Sequence, residues 1–259
     1  RGHHAGIMKI ALLSDIHANL QALEACLEHA RAHGARQFAL LGDLVGYGAD
    51  PGPVLDRVMQ LVAEGTPCVR GNHDAAAVAP PAVAENLGEQ SAQWTHPRLN
   101  AQQLAFLSGL PLTARMGMDA LLVHASADGP ERWHYVADGN AAERSMAAAT
   151  RMDPAIRYVF SGHVHEQALY FITPTAKLMR FSPQPGVHVP VPPHRQWLAI
   201  VGSCGQPRDG DTRAMYALFD PDAATITFQR VPYDHMAAAA AARAGGWPAF
   251  FADRLEKGR

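Results

Sequence analysis

Eight side chains in this sequence are of the right type and spacing to do chemistry together. They are Asp15 and His17 in Ser14-Asp15-Ile16-His17, Asp43 after Gly42, Asn72 and His73 in Arg70-Gly71-Asn72-His73-Asp74, His124, and His163 and His165 in Gly162-His163-Val164-His165. In an extended segment residues i and i+2 point the same way, so Asp15 with His17, and His163 with His165, can each reach a common centre. Seven of the eight can be metal ligands: three carboxylate or amide groups and four histidines. That is too many for one tetrahedral zinc and suits two metal ions sharing one carboxylate. Mixed nitrogen and oxygen donors point to Mn, Fe, Zn, Co or Ni rather than Ca or Mg. Two such ions about 3.5–4 Å apart turn a bridging water into hydroxide at neutral pH, polarise phosphoryl oxygens and hold phosphorus for in-line attack. The leaving alkoxide then needs a proton, and His73 is the spare histidine that can supply it.

These groups need elements to carry them. Short apolar runs over 9–13, 37–41, 66–69, 120–123 and 157–160 read as buried strands, and each ends in one of the polar motifs. Amphipathic helices are expected over 19–31 and 53–63, with further helices over 82–94, 100–108 and 140–149. Strand, polar motif, helix is the α/β pattern, with active groups at the carboxyl ends of strands. After His165 the texture changes. Runs over 168–172, 176–181, 197–201, 214–219 and 225–231 read as antiparallel strands, and the proline-rich 183–193 as an extended loop or edge. An Ala-rich helical tail starts near His235 and breaks at Gly245-Gly246. The expected organisation is one domain over 8–259: a motif-bearing part (8–165), a β-rich part (166–234) and the tail (235–259).

Composition narrows the function classes. The 259 residues, 48% hydrophobic and 18% charged, are ordinary for a globular protein that buries a substantial core. A net charge of −2, with no basic stripe, counts against a nucleic-acid partner. The 14 histidines are the outlier, and histidine is the commonest metal ligand. Cys26, Cys68 and Cys204 are far apart and form no CxxC pair, which argues against a disulfide framework or a zinc knuckle and fits a reducing, cytoplasmic compartment. No apolar run approaches the roughly 18 residues of a spanning helix, and no signal-peptide pattern is present, so no membrane association is expected. Residues 1–7 (RGHHAGI) read as an expression-tag remnant before Met8, and His3 and His4 are set aside on that ground.

Taken in order, Asp15-x-His17, Gly42-Asp43, Gly71-Asn72-His73-Asp74, His124 and Gly162-His163-x-His165 resemble the calcineurin-like metallophosphoesterases over about Met8 to His165. The resemblance implies a four-layer α-β-β-α sandwich of two mixed sheets flanked by helices. It implies that one metal takes Asp15, His17 and His165, the other takes Asn72, His124 and His163, Asp43 bridges them, and His73 is the general acid. The loop Gly202-Ser203-Cys204-Gly205-Gln206-Pro207-Arg208-Asp209-Gly210-Asp211 looks like the glycine-serine loop of small bacterial and archaeal phosphodiesterases of the diadenosine tetraphosphatase-like branch. The protein-phosphatase branch follows its Gly-Asp with Asp-Arg-Gly; here Gly46-Tyr47-Gly48 stand instead. Asp74 then either orients His73 or caps the next helix. Arg208 is a candidate phosphate contact through its guanidinium fork, and Tyr47 a candidate lining of the substrate cleft.

The expected function is a phosphoesterase with two divalent or trivalent transition-metal ions (Mn, Fe, Zn or Ni). It would hydrolyse a small phosphodiester or nucleotide polyphosphate by attack of metal-bridging hydroxide, with His73 as acid. A phosphomonoesterase or protein phosphatase, or a non-catalytic scaffold with the same fold, are the alternatives.

Overall fold

Alternation along β1 (Lys9–Leu13) sets the layering: Ile10 and Leu12 face one way, Ala11 and Leu13 the other, and all four are buried. A strand buried on both faces needs a layer on each side. The computed structural model describes residues 8–259, so the tag-like stretch over 1–7 lies outside them. After β1 come α1 (Leu20–Ala32), β2 (Ala35–Leu40), α2 (Pro51–Ala63), α3 (Asn72–Val78), α4 (Leu87–Thr95), α5 (Ala101–Gly109), β3 (Thr113–Met116), β4 (Ala120–Val123) and α6 (Gly139–Met152). The second half holds β5 (Tyr158–Ser161), β6 (Ala168–Ile172), β7 (Leu178–Phe181), β8 (His188–Pro190), β9 (Gln196–Ile200), β10 (Ala214–Asp220), β11 (Thr225–Val231), α7 (His235–Ala244) and α8 (Ala249–Lys257).

The strands form two mixed sheets, ordered β2-β1-β10-β11-β8 and β3-β4-β5-β9-β6-β7. In the first, β1 runs parallel to β2 and antiparallel to β10. In the second, β4, β5 and β9 are parallel, with antiparallel strands outside them. Ile10, Leu12, Phe219 and Phe228 of one sheet meet Leu122, Phe160, Leu169 and Ala199 of the other. The opposite face of the first sheet packs Ala11 and Leu13 against Leu23 and Leu27 of α1 and Val54 and Val58 of α2. The opposite face of the second packs Val123, Val159 and Ile200 against Ala142, Met146 and Ala149 of α6. This is the expected four-layer sandwich. No helix among the described residues is long and apolar enough to cross a membrane.

Some local expectations are corrected. Residues 66–69 are not a strand but an extended run with a single parallel bridge, Leu40 to Cys68. Pro67 has no N–H to continue a ladder, so only its carbonyl is used, by Leu40 N. Thr113–Met116 was not visible as a strand because its pattern is half-buried and carries no apolar run; it forms a hairpin with β4. The proline-rich stretch supplies β8, an edge strand on β11. The tail is helical with its break at the two glycines, as expected.

Candidate metal centre

The loops that carry Asp15 and His17, Asp43, His124, and His163 and His165 leave the carboxyl ends of β1, β2, β4 and β5, and the loop that carries Asn72 and His73 follows the extended 66–69 run. Their backbones interlock beyond the strands. Asp15 N donates to Gly42 O (2.9 Å), His17 N to Asp43 O (3.0 Å), Gly162 N to His124 O (2.8 Å) and Gly205 N to Asp15 O (2.9 Å). The paired donors do not sit in the extended segments that their spacing suggested. Asp15 (φ 52°), His17 (48°), Asp43 (52°) and His163 (68°) all lie in the left-handed region. Each such residue costs about 1–2 kcal/mol, so four of the donors carry backbone strain themselves. Gly162 is required by close approach: a Cβ there would run into Ser14 Oγ and Asp15 Oδ2.

The donors fall into two groups, Asp15 with His17 and His165, and Asp43 with His124 and His163, each with its ligand atoms within 4.8 Å of one another. Asp15 Oδ1 is 3.2 Å from His165 Nε2 and 3.5 Å from His17 Nε2, and the two ring nitrogens are 3.3 Å apart. Asp43 Oδ2 is 3.1 Å from His124 Nε2 and 3.8 Å from His17 Nε2, so it faces both groups. Donors about 2.0–2.2 Å from a metal lie roughly 3.0–3.5 Å from one another in a tetrahedral or octahedral shell. The observed spacings fit that shell.

The remaining ring nitrogens are anchored. His17 Nδ1 faces Val45 O (3.1 Å), His124 Nδ1 faces Leu41 O (2.7 Å) and His165 Nδ1 faces Gln206 O (2.6 Å). A carbonyl can only accept, so each Nδ1 carries a hydrogen, and Nε2 is the ring atom left to ligate a metal. Asp15 Oδ1, Asn72 Oδ1, His124 Nε2 and His163 Nε2 are buried with no hydrogen-bond partner. A buried polar atom left unpaired costs about 1–3 kcal/mol, and four of them in one place fit a site for metal ions. Asn72 Oδ1 shares this unsatisfied, buried state with Asp15 Oδ1, His124 Nε2 and His163 Nε2.

The electrostatics agree. Burial would raise Asp15 and Asp43, but the surrounding imidazoles, His124 foremost, hold both below the ordinary carboxylate range. Burial would lower His124, but Asp43 and Asp15 outweigh it and raise it to about 10. His163 and His165 are lowered to about 4, chiefly by burial.

His73 stands outside both groups. Its ring packs 4.4 Å from Tyr47 and edge-on 5.1 Å from His17, on the wall of a cleft of ≈ 620 Å³ that Asn72, Gly88, Glu89 and Tyr135 also line. Gly46 (φ 92°) makes room for it, since a Cβ there would lie 2.9 Å from His73 Nδ1. Burial lowers His73 to about 4. Asp74 does not engage that ring. Its carboxylate accepts from Gly71 N and Asp43 N (2.8 and 2.9 Å) and from Leu44 N (2.8 Å). Of the two roles open to Asp74, the structure shows the capping one, extended to hold the Asp43 loop. A carboxylate so engaged positions the Asp43 loop, which replaces the reading of Asp74 as the group that orients the catalytic His73.

Tyr47 touches His17 (4.9 Å) as well as His73. Arg208 donates to Gln206 Oε1 (2.7 Å), and its Nε is buried without a partner. Sequence reasoning missed two residues. Tyr135 stacks on His163 at 3.9 Å. Arg254, on α8, reaches Gln206 Oε1 and the Tyr47 ring. Nothing in the sequence flags Arg254, because its proximity depends on where the tail docks.

Residues 8–224 match the calcineurin-like phosphoesterase superfamily domain. The crystal structure of a metallophosphoesterase from Sphaerobacter thermophilus is 35% identical with a TM-score of 0.83, covering 97% of this chain and 99% of that one. An uncharacterised protein of Methanocaldococcus jannaschii is 29% identical over 259 residues, 96% of this chain and 98% of its own. A hypothetical protein from Pyrococcus horikoshii shares the fold at 18% identity, with a TM-score of 0.74 over 97% of this chain and 99% of its own.

Proposed function

The chain belongs to the calcineurin-like phosphoesterase superfamily, and from that premise we propose that it is a dinuclear metal-dependent hydrolase of a small phosphodiester or nucleotide polyphosphate. The observation that carries this reading is the pair of donor groups meeting at Asp43, with four buried ligand atoms that no hydrogen bond satisfies. Asp15, His17 and His165 would hold one ion, Asn72, His124 and His163 the other, and Asp43 both. When bound, two metal ions supply an acidified water and positive charge for the phosphoryl oxygens.

The chain's own residues do the rest. The anchored Nδ1 atoms keep His17, His124 and His165 from rotating, so the donors stay in place through turnover. His73 faces the cleft where a leaving group emerges. With its pKa lowered to about 4 it is neutral at pH 7, and it needs the negative charge of a bound phosphate to hold a proton for delivery. Its neutral N–H still donates a hydrogen bond to a departing oxygen. A cleft of ≈ 620 Å³ suits a small molecule rather than a folded protein.

The test is metal analysis of the purified protein together with rates on bis-p-nitrophenyl phosphate, p-nitrophenyl phosphate and diadenosine tetraphosphate. Two metals per chain with faster turnover of the diester and polyphosphate is the expected result. Two bound metals with no hydrolysis of any of the three would support the scaffold instead.

A further inference from the structure

Beside the His17–His165 side of the centre, two guanidinium groups come together with no carboxylate between them. Arg208 comes from the loop after β9, Arg254 from α8. Arg208 Nη2 and Arg254 Nη1 share one neutral acceptor, Gln206 Oε1, at 2.7 and 3.4 Å. Both also lie against the Tyr47 ring, 5.8 and 6.0 Å from its centroid. Among the described residues neither forms an ion pair, whereas Arg213, Arg230 and Arg243 on the same side of the sequence each face acidic groups.

Like charges gathered on one amide oxygen repel, and burial adds to the cost. Arg254 registers both: burial first, then the Arg208 charge, lower its pKa from the ordinary value. Arg208 Nε is buried and unpartnered, a donor with nothing to donate to. Arg254 also lies 4.2 Å from the Phe250 ring centroid. The pair is tied to the centre through the backbone. Gln206 O holds His165 Nδ1 (2.6 Å), and Arg208 N donates to His165 O (3.2 Å). Tyr47, under both guanidiniums, also touches His17 and His73.

The geometry points to an anion clamp in which Arg208 and Arg254 grip a second phosphoryl group of the substrate, adjacent to the one that is cleaved. This rests on the phosphoesterase reading above and deepens it. A planar guanidinium fork offers two parallel N–H donors to a phosphate, and two forks supply enough positive charge for a polyphosphate chain. A simple diester has no second anionic group to place there. The clamp therefore selects polyphosphates over diesters, and half of it is delivered by a helix at the far end of the chain.

The experiment compares the manganese-loaded wild type with Arg208→Gln and Arg254→Gln, measuring kcat/KM on diadenosine tetraphosphate and on bis-p-nitrophenyl phosphate. Arg254→Lys, which keeps stem and charge but loses the fork, stands in if the glutamine variant does not fold. Loss of one charged phosphate contact is expected to lower the preference for the tetraphosphate roughly tenfold or more, mainly through KM. Calorimetric titration with inorganic tripolyphosphate gives a readout independent of turnover, and each variant should bind it at least roughly tenfold more weakly. If both substrates lose rate in proportion and tripolyphosphate binding is unaltered, the clamp is wrong. If the wild type hydrolyses neither substrate yet loses tripolyphosphate binding in the variants, the clamp stands and the phosphoesterase reading fails.

Discussion

His124 is a buried imidazole and His73 a half-buried one within the same site, yet their surroundings push them in opposite directions. His124 lies 3.1 Å from Asp43, and the carboxylates raise it to about 10 against the burial that would lower it. His73 has its backbone N–H, not its ring, on Asp43 (2.9 Å), and burial takes it down to about 4. In protein stripped of metal by a chelator, His124 lies above the roughly 6.5 of an unfolded histidine. Its pairing therefore contributes stability that is complete below about 6.5 and is lost as pH rises through 10. Asp43 and Asp15 lie below the unfolded carboxylate value, so their contribution is complete above about 4 and is lost in acid. Stripped protein should be most stable between those limits, which a set of thermal melts against pH will show. A ligand must be deprotonated to bind, so metal uptake at pH 7 should expel about one proton from His124. Titration calorimetry in buffers of different ionisation enthalpy measures it, and heats independent of buffer would remove His124 from the ligand set. His73→Ala should keep both metals and lose roughly 10²–10⁴-fold in rate on a poor leaving group, with a smaller loss on nitrophenolate esters. Loss of metal in that variant would overturn the division between ligand and acid.

At the scale of elements, the short helix α3 matters more for its start than its length. Asp74, in its first turn, gathers N–H groups of Gly71, Asp43 and Leu44 on one carboxylate. It thereby ties the loop after β2 to the loop after the 66–69 run, and Asp43 with Asn72 is held between them. Asp74→Ala leaves those buried donors unsatisfied and should cost at least roughly 1–3 kcal/mol in denaturant unfolding. Because the Asp43 loop is released, metal affinity should fall with it. A variant that unfolds as the wild type does, and binds metal as tightly, would show that the left-handed loops hold themselves.

For the molecule as a whole, the tail closes one side of the site. Trp247 donates from Nε1 to Gly48 O (3.2 Å), and its ring packs 4.3 Å from Trp94 and 4.8 Å from Phe251. Phe251 in turn packs 5.5 Å from Tyr47. The loop that carries Tyr47 is thus clamped between α3, α4 and the C-terminal helices. Trp247→Ala should cost roughly 3–5 kcal/mol and raise KM, through Tyr47 and Arg254, while the metal content stays as in the wild type. Thermal melts, metal analysis and steady-state kinetics on one preparation separate these effects, and loss of metal would mean the tail supports the centre itself.

The candidate donors were legible before any fold was known, and six of them fall into the two groups seen in the structure. Asp15, His17, Asp43, Asn72, His124, His163 and His165 each follow an apolar run, because a strand end is where a buried backbone can stop and turn a polar group into a cleft. The layering was legible for the same local reason, since two-sided burial of runs such as 9–13 demands cover on both faces. What the sequence could not carry is whatever depends on two segments meeting. The i, i+2 pairing holds for Asp15 and His17, which left-handed loops braced across two sheets, and not strand alternation, bring into one group, but it fails for His163 and His165, which fall into different groups. Asp74 could be a cap or a partner of His73 until three backbone N–H groups from two loops were seen on its carboxylate. Arg254 had no signature at all: a surface-pattern arginine 46 positions beyond Arg208 becomes its neighbour only when α8 docks on Tyr47. Side-chain type and local burial are written residue by residue, but a site assembled from loops of two sheets and a terminal helix exists only once the layers have packed.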